Sequence, residues 1–231
     1  MFQRAILLVV LCFCAYAEIR AQETPTDLTY DEKYLEDQFY TGFSYNFLLN
    51  KPDGVVQQSL SYNFQIGFIK DIPLNQGRNF GIGMGIGYAT NSYFTNMVKE
   101  KMDEVVTYRF ASDIETLNRS KLETNAIEFP FELRWRTSNP IDYKFWRVYT
   151  GFKAEYLFSR RAKIVFDDKD VTFSNPDIEQ WQFGWMINFG YNTWNLHFYW
   201  ALSDLLGNNA TFNDDALTIR PIRIGVIFYI L

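Results

Sequence analysis

The stretch Ile219-Arg220-Pro221-Ile222-Arg223-Ile224-Gly225-Val226-Ile227-Phe228-Tyr229-Ile230-Leu231 reads as one extended strand. Side chains alternate across a strand, so Ile222, Ile224, Val226, Phe228 and Ile230 share one face. Pro221, Arg223, Gly225, Ile227 and Tyr229 share the other. One face must therefore meet something apolar along its whole length. The same pattern recurs upstream, so the sequence asks what solvent the protein is built for.

Seven further segments alternate in this way. The first, Phe39–Leu49, sets Phe39, Phe43, Tyr45, Phe47 and Leu49 against Tyr40, Gly42, Ser44 and Asn46. The third is the cleanest: Phe80, Ile82, Met84, Ile86 and Tyr88 alternate with Gly81, Gly83, Gly85, Gly87 and Ala89. The others are Leu60–Phe68, Ile127–Arg136, Trp146–Phe158, Trp181–Tyr191 and Trp194–Ser203. Connections 50–59, 90–125, 159–180 and 203–218 are long or polar. Connections 69–79, 137–145 and 192–193 are shorter on average and carry turn residues such as Asn75, Gly77, Asn139-Pro140 and Asn192-Thr193. Alternating long and short connections suit a meander with one end outside the cell and one in the periplasm. The expectation is an all-β, eight-stranded antiparallel up-and-down transmembrane β-barrel with both termini on the periplasmic side.

Composition agrees. The 231 residues include 22 Phe, 15 Tyr and 6 Trp, an aromatic share of 19% that suits interface belts. No run of 18 apolar residues follows the N-terminal region, so no spanning helix is expected. Residues 1–21 read as a signal peptide: Arg4, then an apolar run to Cys14, then small residues at Ala15, Ala17 and Ala21. Cleavage fits after Ala17 and better after Ala21. Leu11 before Cys12 and Phe13 before Cys14 disfavour a lipoprotein. Both cysteines lie in the signal, so disulfide and thiolate chemistry are not expected in residues 22–231. Residues 22–38 read as a short periplasmic N-terminal segment, helical around Asp31 to Asp37, and 39–231 as the barrel. The formal charge of −5 gives no electrostatic case for nucleic acid.

Charged residues on the alternate face point into the lumen: Glu128, Glu132, Arg134, Arg136, Arg147, Lys153, Glu155 and Arg223. A barrel of eight strands is narrow and is filled by side chains. The expected role is a structural ion-pair network, with the glycines of the third segment making room; a selective channel is the alternative. Trp135, Trp146, Tyr191 and Trp194 end adjacent strands at the periplasmic side and read as an interface belt. His197, the only histidine, faces inward mid-strand and reads as a hydrogen-bonded lumen residue; catalysis with Ser203 and Asp204 is the alternative. Asp167-Asp168-Lys169-Asp170 and Asn213-Asp214-Asp215 read as solvated loops, with a cation site as the alternative. The sequons at Asn118 and Asn209 carry no weight in a bacterial barrel. No cofactor or metal is expected.

The stretches Asp37-Gln38-Phe39-Tyr40-Thr41-Gly42-Phe43, Ile66-Gly67-Phe68-Ile69-Lys70-Asp71-Ile72-Pro73-Leu74-Asn75 and Gly85-Ile86-Gly87-Tyr88-Ala89 resemble the PorT-like outer-membrane β-barrel proteins of Bacteroidetes, a porin-family domain. So do Glu128-Phe129-Pro130-Phe131-Glu132-Leu133-Arg134-Trp135-Arg136 and Tyr149-Thr150-Gly151. The resemblance implies a bacterial outer-membrane location and, through the founding member, a link to the type IX secretion pathway. It carries over no catalytic residues. The reading is a non-enzymatic binding or scaffolding protein. Its expected partners are the lipid bilayer, lipopolysaccharide and other outer-membrane or secretion-complex proteins. A channel, a lipid-modifying barrel enzyme and a soluble lipocalin-like barrel are the alternatives. The last would turn apolar residues inward and polar ones outward; charge confined to one face of the fourth and fifth segments favours the membrane.

Overall fold

A computed structural model describes residues 37–230 apart from Gln58, Gln76, 103–104, 111–116, 138–144, 168–169, 208–209 and 213–214, and describes no side chains over 100–107. The expected signal peptide, most of the expected N-terminal segment, the Asn139-Pro140 turn and parts of both acidic clusters lie outside the described residues. Eight long strands make the barrel: β1 (Gln38–Leu49), β2 (Tyr62–Pro73), β3 (Phe80–Thr95), β6 (Leu117–Arg136), β7 (Trp146–Phe166), β9 (Trp181–Tyr191), β10 (Trp194–Ala201) and β13 (Arg220–Ile230). Their order is β6-β3-β2-β1-β13-β10-β9-β7, every described barrel ladder is antiparallel, and a β6–β7 ladder closes the ring. Closure leaves no ring strand with an unpaired edge, the condition for crossing lipid with strands. Tight turns sit at one end: 74–79 joins β2 to β3, and Asn192, at φ 55°, heads a two-residue turn between β9 and β10.

Four strands run past the expected limits, among them β3, which continues to Thr95. β2 continues to Pro73, so the 69–79 connection shortens to 74–79. β6 begins at Leu117 and β7 ends at Phe166, so much of 90–125 and 159–180 is strand. The reason is an inversion of polarity along one strand. Below Ala126, β6 turns Ile127, Phe129, Phe131, Leu133 and Trp135 outward, each at least 37% exposed, and buries Glu128, Glu132, Arg134 and Arg136. Above it, the inward face carries Leu122 and Ala126 while Arg119, Lys121, Glu123 and Asn125 face outward. The lower half suits lipid outside; the upper half suits water outside. The Ser120–Thr124 side of the strand stays inward, so parity is unbroken in β6.

In β7 the parity does break. Asn125 pairs with Ser159 and Ala126 with Leu157, so Phe158 is an extra residue in a β-bulge. The bulge sends Ala162 and Ile164 inward and Arg161 and Lys163 outward, in step with β6. Pro130 lies mid-strand in β6, where it lacks an N–H for the ladder. Pairing to β3 is interrupted there, between Met84↔Phe131 and Gly87↔Glu128.

The long-connection end folds into a lobe. β4 (Met97–Met102) and β5 (Val105–Phe110) form a hairpin, joined by β11 (Thr211–Phe212) and β12 (Asp215–Ala216) in the order β12-β11-β5-β4. β8 (Asp170–Ser174) adds to the protruding part of β7. These pieces cover a core of Leu48, Tyr93, Met97, Tyr108, Leu122, Leu157, Ile178, Leu205, Leu206, Phe212, Leu217 and Ile219. The barrel mouth at this end is thus closed by apolar side chains.

Candidate functional site

Below that core the lumen is ionic. Glu128, Glu132, Arg134, Arg136, Arg147, Lys153, Glu155 and Arg223 are all at most 5% exposed. Arg223 on β13 donates two hydrogen bonds to Glu155 on β7, at 2.5 and 2.7 Å, and its guanidinium lies 4.2 Å from the Tyr199 ring. Lys153 pairs with Glu128 at 2.9 Å and donates to Gln65 at 2.5 Å. Tyr40 donates to the other oxygen of Glu128 at 2.5 Å. Arg134 bridges Glu132 and Asp71, both at 2.9 Å, and stacks 4.6 Å from Tyr149. Arg136 reaches Asp71 at 2.8 Å and the Arg78 carbonyl at 2.7 Å. Arg147 lies at the short-turn end, stacked 4.5 Å from Phe145, with no carboxylate partner among the described residues.

Asp71 is the lumen residue that the sequence reading missed. It is fully buried and holds two arginines. Ending the second segment at Phe68 hid it, although Asn63, Gln65 and Asp71 share one strand parity. The glycine expectation takes a definite form. A Cβ on Gly83 would press on the Arg134 guanidinium, and one on Gly67 or Gly87 would collide with the Tyr40 hydroxyl.

Above the ionic layer sits a layer of amides. Asn63 donates to Asn91 at 3.0 Å, and Asn91 to Thr124 at 3.3 Å. His197 faces inward, and its Nδ1 lies 2.6 Å from the Asn188 Oδ1. The Asn188 amide nitrogen donates to Tyr229 and Glu132, so its oxygen faces the ring and His197 donates from Nδ1. Ser203 and Asp204 are not brought to His197. Ser203 accepts from the Phe183 amide at 2.9 Å, and Asp204 pairs with Arg220 at 2.6 Å.

Trp135, Trp146, Tyr191 and Trp194 stand on the outer face at the short-turn end, 40–68% exposed. Trp146 is paired with Tyr191, and Tyr191 with Trp194; the Trp146 and Tyr191 rings are 5.3 Å apart. A second aromatic set at the other end escaped the sequence reading: Tyr88, Tyr156, Trp181 and Trp200 also face outward. The Tyr156 and Trp181 rings are 5.1 Å apart, and Tyr88 donates to Asn125 at 2.7 Å.

The lobe is clamped by one polar cluster. Lys99 pairs with Asp177 at 3.0 Å and donates to Asn175 at 2.9 Å. Asn175 donates to the Tyr108 hydroxyl at 2.8 Å, which donates to Asp177 at 3.2 Å. Burial is the main force raising the Tyr108 phenol well above its ordinary value, so it stays a donor. A cleft of about 410 Å³ opens between Asn50–Asp53 on one side and Phe212 and Asp215–Thr218 on the other. Among the described residues no group of three His, Cys, Asp or Glu is placed to hold a metal.

No curated protein matches the chain. Among solved structures it is similar to Ail, the attachment invasion locus protein of Yersinia pestis, at 10% identity and a TM-score of 0.38. The match covers 84% of this chain and 97% of that one. Residues 20–207 match the family described as outer membrane protein beta-barrel domain. An eight-stranded closed ring with an apolar outer face is the architecture such a family requires, and the chain belongs to this family of outer-membrane β-barrel proteins.

Proposed function

We propose that the protein is a non-enzymatic binding or scaffolding component of the outer membrane that works through its extracellular lobe. The observation that supports this is the filling of the barrel. An ionic layer, an amide layer and an apolar core succeed one another along the axis. A conducting pore needs a continuous polar path; here Leu48, Tyr93, Leu122 and Leu157 stand across it. Acid–base catalysis needs a group within reach of substrate; His197 is enclosed and engaged with Asn188. The lobe is the part that meets water and partners. The resemblance to PorT-type proteins favours a secretion complex as their setting.

Two measurements test this reading. In planar bilayers the folded protein gives no steady conductance steps; ohmic steps that vanish on unfolding contradict it. In whole cells, cross-linkers placed on β8, as in Val171→Cys, capture the functional partner. Adducts that form only from the short periplasmic turns contradict a role for the lobe.

A further inference from the structure

We propose that the outward face of β6 and β7 just above the apolar belt is a docking surface for phosphorylated outer-leaflet lipid, held by Arg119, Lys121, Arg161 and Lys163. Glu123 lies opposite Arg161, and Lys121 lies directly opposite Lys163, all on the outer face. The acidic groups there are Glu123, 2.6 Å from Lys121, Asp170, 2.9 Å from Lys163, and Asp167 beyond the end of β7, which accepts from Asn118 at 2.7 Å. Among the described residues four cations therefore stand against three carboxylates. Arg119 and Arg161 are exposed, and their side chains make no ion pair or hydrogen bond among the described residues. Like charges directly opposite destabilise a strand pair. A face built only for solvation would set Lys121 against an acid.

Position identifies the occupant. This is the face that, lower on the same strand of β6, presents Ile127 to Trp135 to lipid. The Glu123–Arg161 rung is four residues above Ile127, about 13 Å along the strand at ~3.3 Å per residue. A strand tilt of 35–45° makes that roughly 10 Å of height. Long basic side chains bend towards a membrane interface from such a height. Anions at that level belong to phosphates on lipid headgroups and their attached sugars. Basic residues next to an anionic leaflet gain attraction individually. The surface does not depend on which protein, if any, the lobe binds.

The test is native mass spectrometry of the full folded protein in detergent with bisphosphorylated lipid A, dephosphorylated lipid A or inorganic pyrophosphate as probe. The expected result is retention of bisphosphorylated lipid A alone. Binding should weaken roughly 100-fold in Lys121→Gln/Arg161→Gln/Lys163→Gln and stay unchanged in Lys51→Gln, at about one basic residue's worth of attraction each. Equal binding of dephosphorylated lipid A, competition by pyrophosphate at equal concentration, or a triple variant that binds as the parent overturns the proposal. If the triple variant does not fold, Arg161→Gln decides, since that side chain has no partner to lose. A loss of roughly 5-fold supports the surface and no loss overturns it.

Discussion

At the residue scale the lumen sets the terms. Glu155 and Arg223 are fully buried and face each other through two hydrogen bonds. Removing one partner strands the other charge, which costs about 3–5 kcal/mol, whereas replacing both costs far less. Arg223→Met should therefore lower the urea midpoint of the heat-modifiable form much more than Glu155→Gln/Arg223→Met does. Equal losses would mean that the pair is not the unit. Gly184 makes a sharper case, because a Cβ there would enter the Tyr199 ring. Gly184→Ala should prevent the compact band from forming on gels, while Ala154→Gly on the outer face should not. Of these residues, the eight lumen charges were legible from parity alone. Asp71 was not, because the second segment was read only to Phe68 while β2 runs on to Pro73.

At the scale of elements the eight barrel strands were readable because lipid outside and charge inside give each a clean alternation. The tops of β3, β6 and β7 were not, for two physical reasons. Polarity reverses above Ala126, so the inward face there is the apolar one. The Phe158 bulge then shifts the parity of β7 by one residue. Deleting Phe158 should make Leu157 and Ser159 ordinary strand neighbours and leave Arg161 and Lys163 outward, with the upper ladder in its present register. The compact gel band should persist and hydrogen exchange over 117–124 and 160–166 should match the parent; a rise in exchange there would show that Phe158 is not the extra residue. The clamp gives a second prediction. Asp177→Asn removes the partner of Lys99 and an acceptor of Tyr108, so exchange should rise across β4 and β5 and not in β1 or β13. Uniform exchange would contradict a separate hold on the lobe. The small strands β11 and β12 have two residues each and no periodicity to read.

At the scale of the molecule, one ring of strands serves two solvents. Its lower part is a membrane barrel, greasy outside and ionic inside; its upper part is a soluble barrel with an apolar core. Residues 22–231 contain no cysteine, so single cysteines can be placed along β6 at positions 119 to 135 and spin-labelled in reconstituted vesicles. The account predicts that odd positions from 127 to 133 are open to oxygen and closed to a water-soluble nickel relaxant, and that 119 to 125 reverse this, with the crossover beside Ala126. Nickel accessibility at 129 or 131 equal to that at 121 would contradict it.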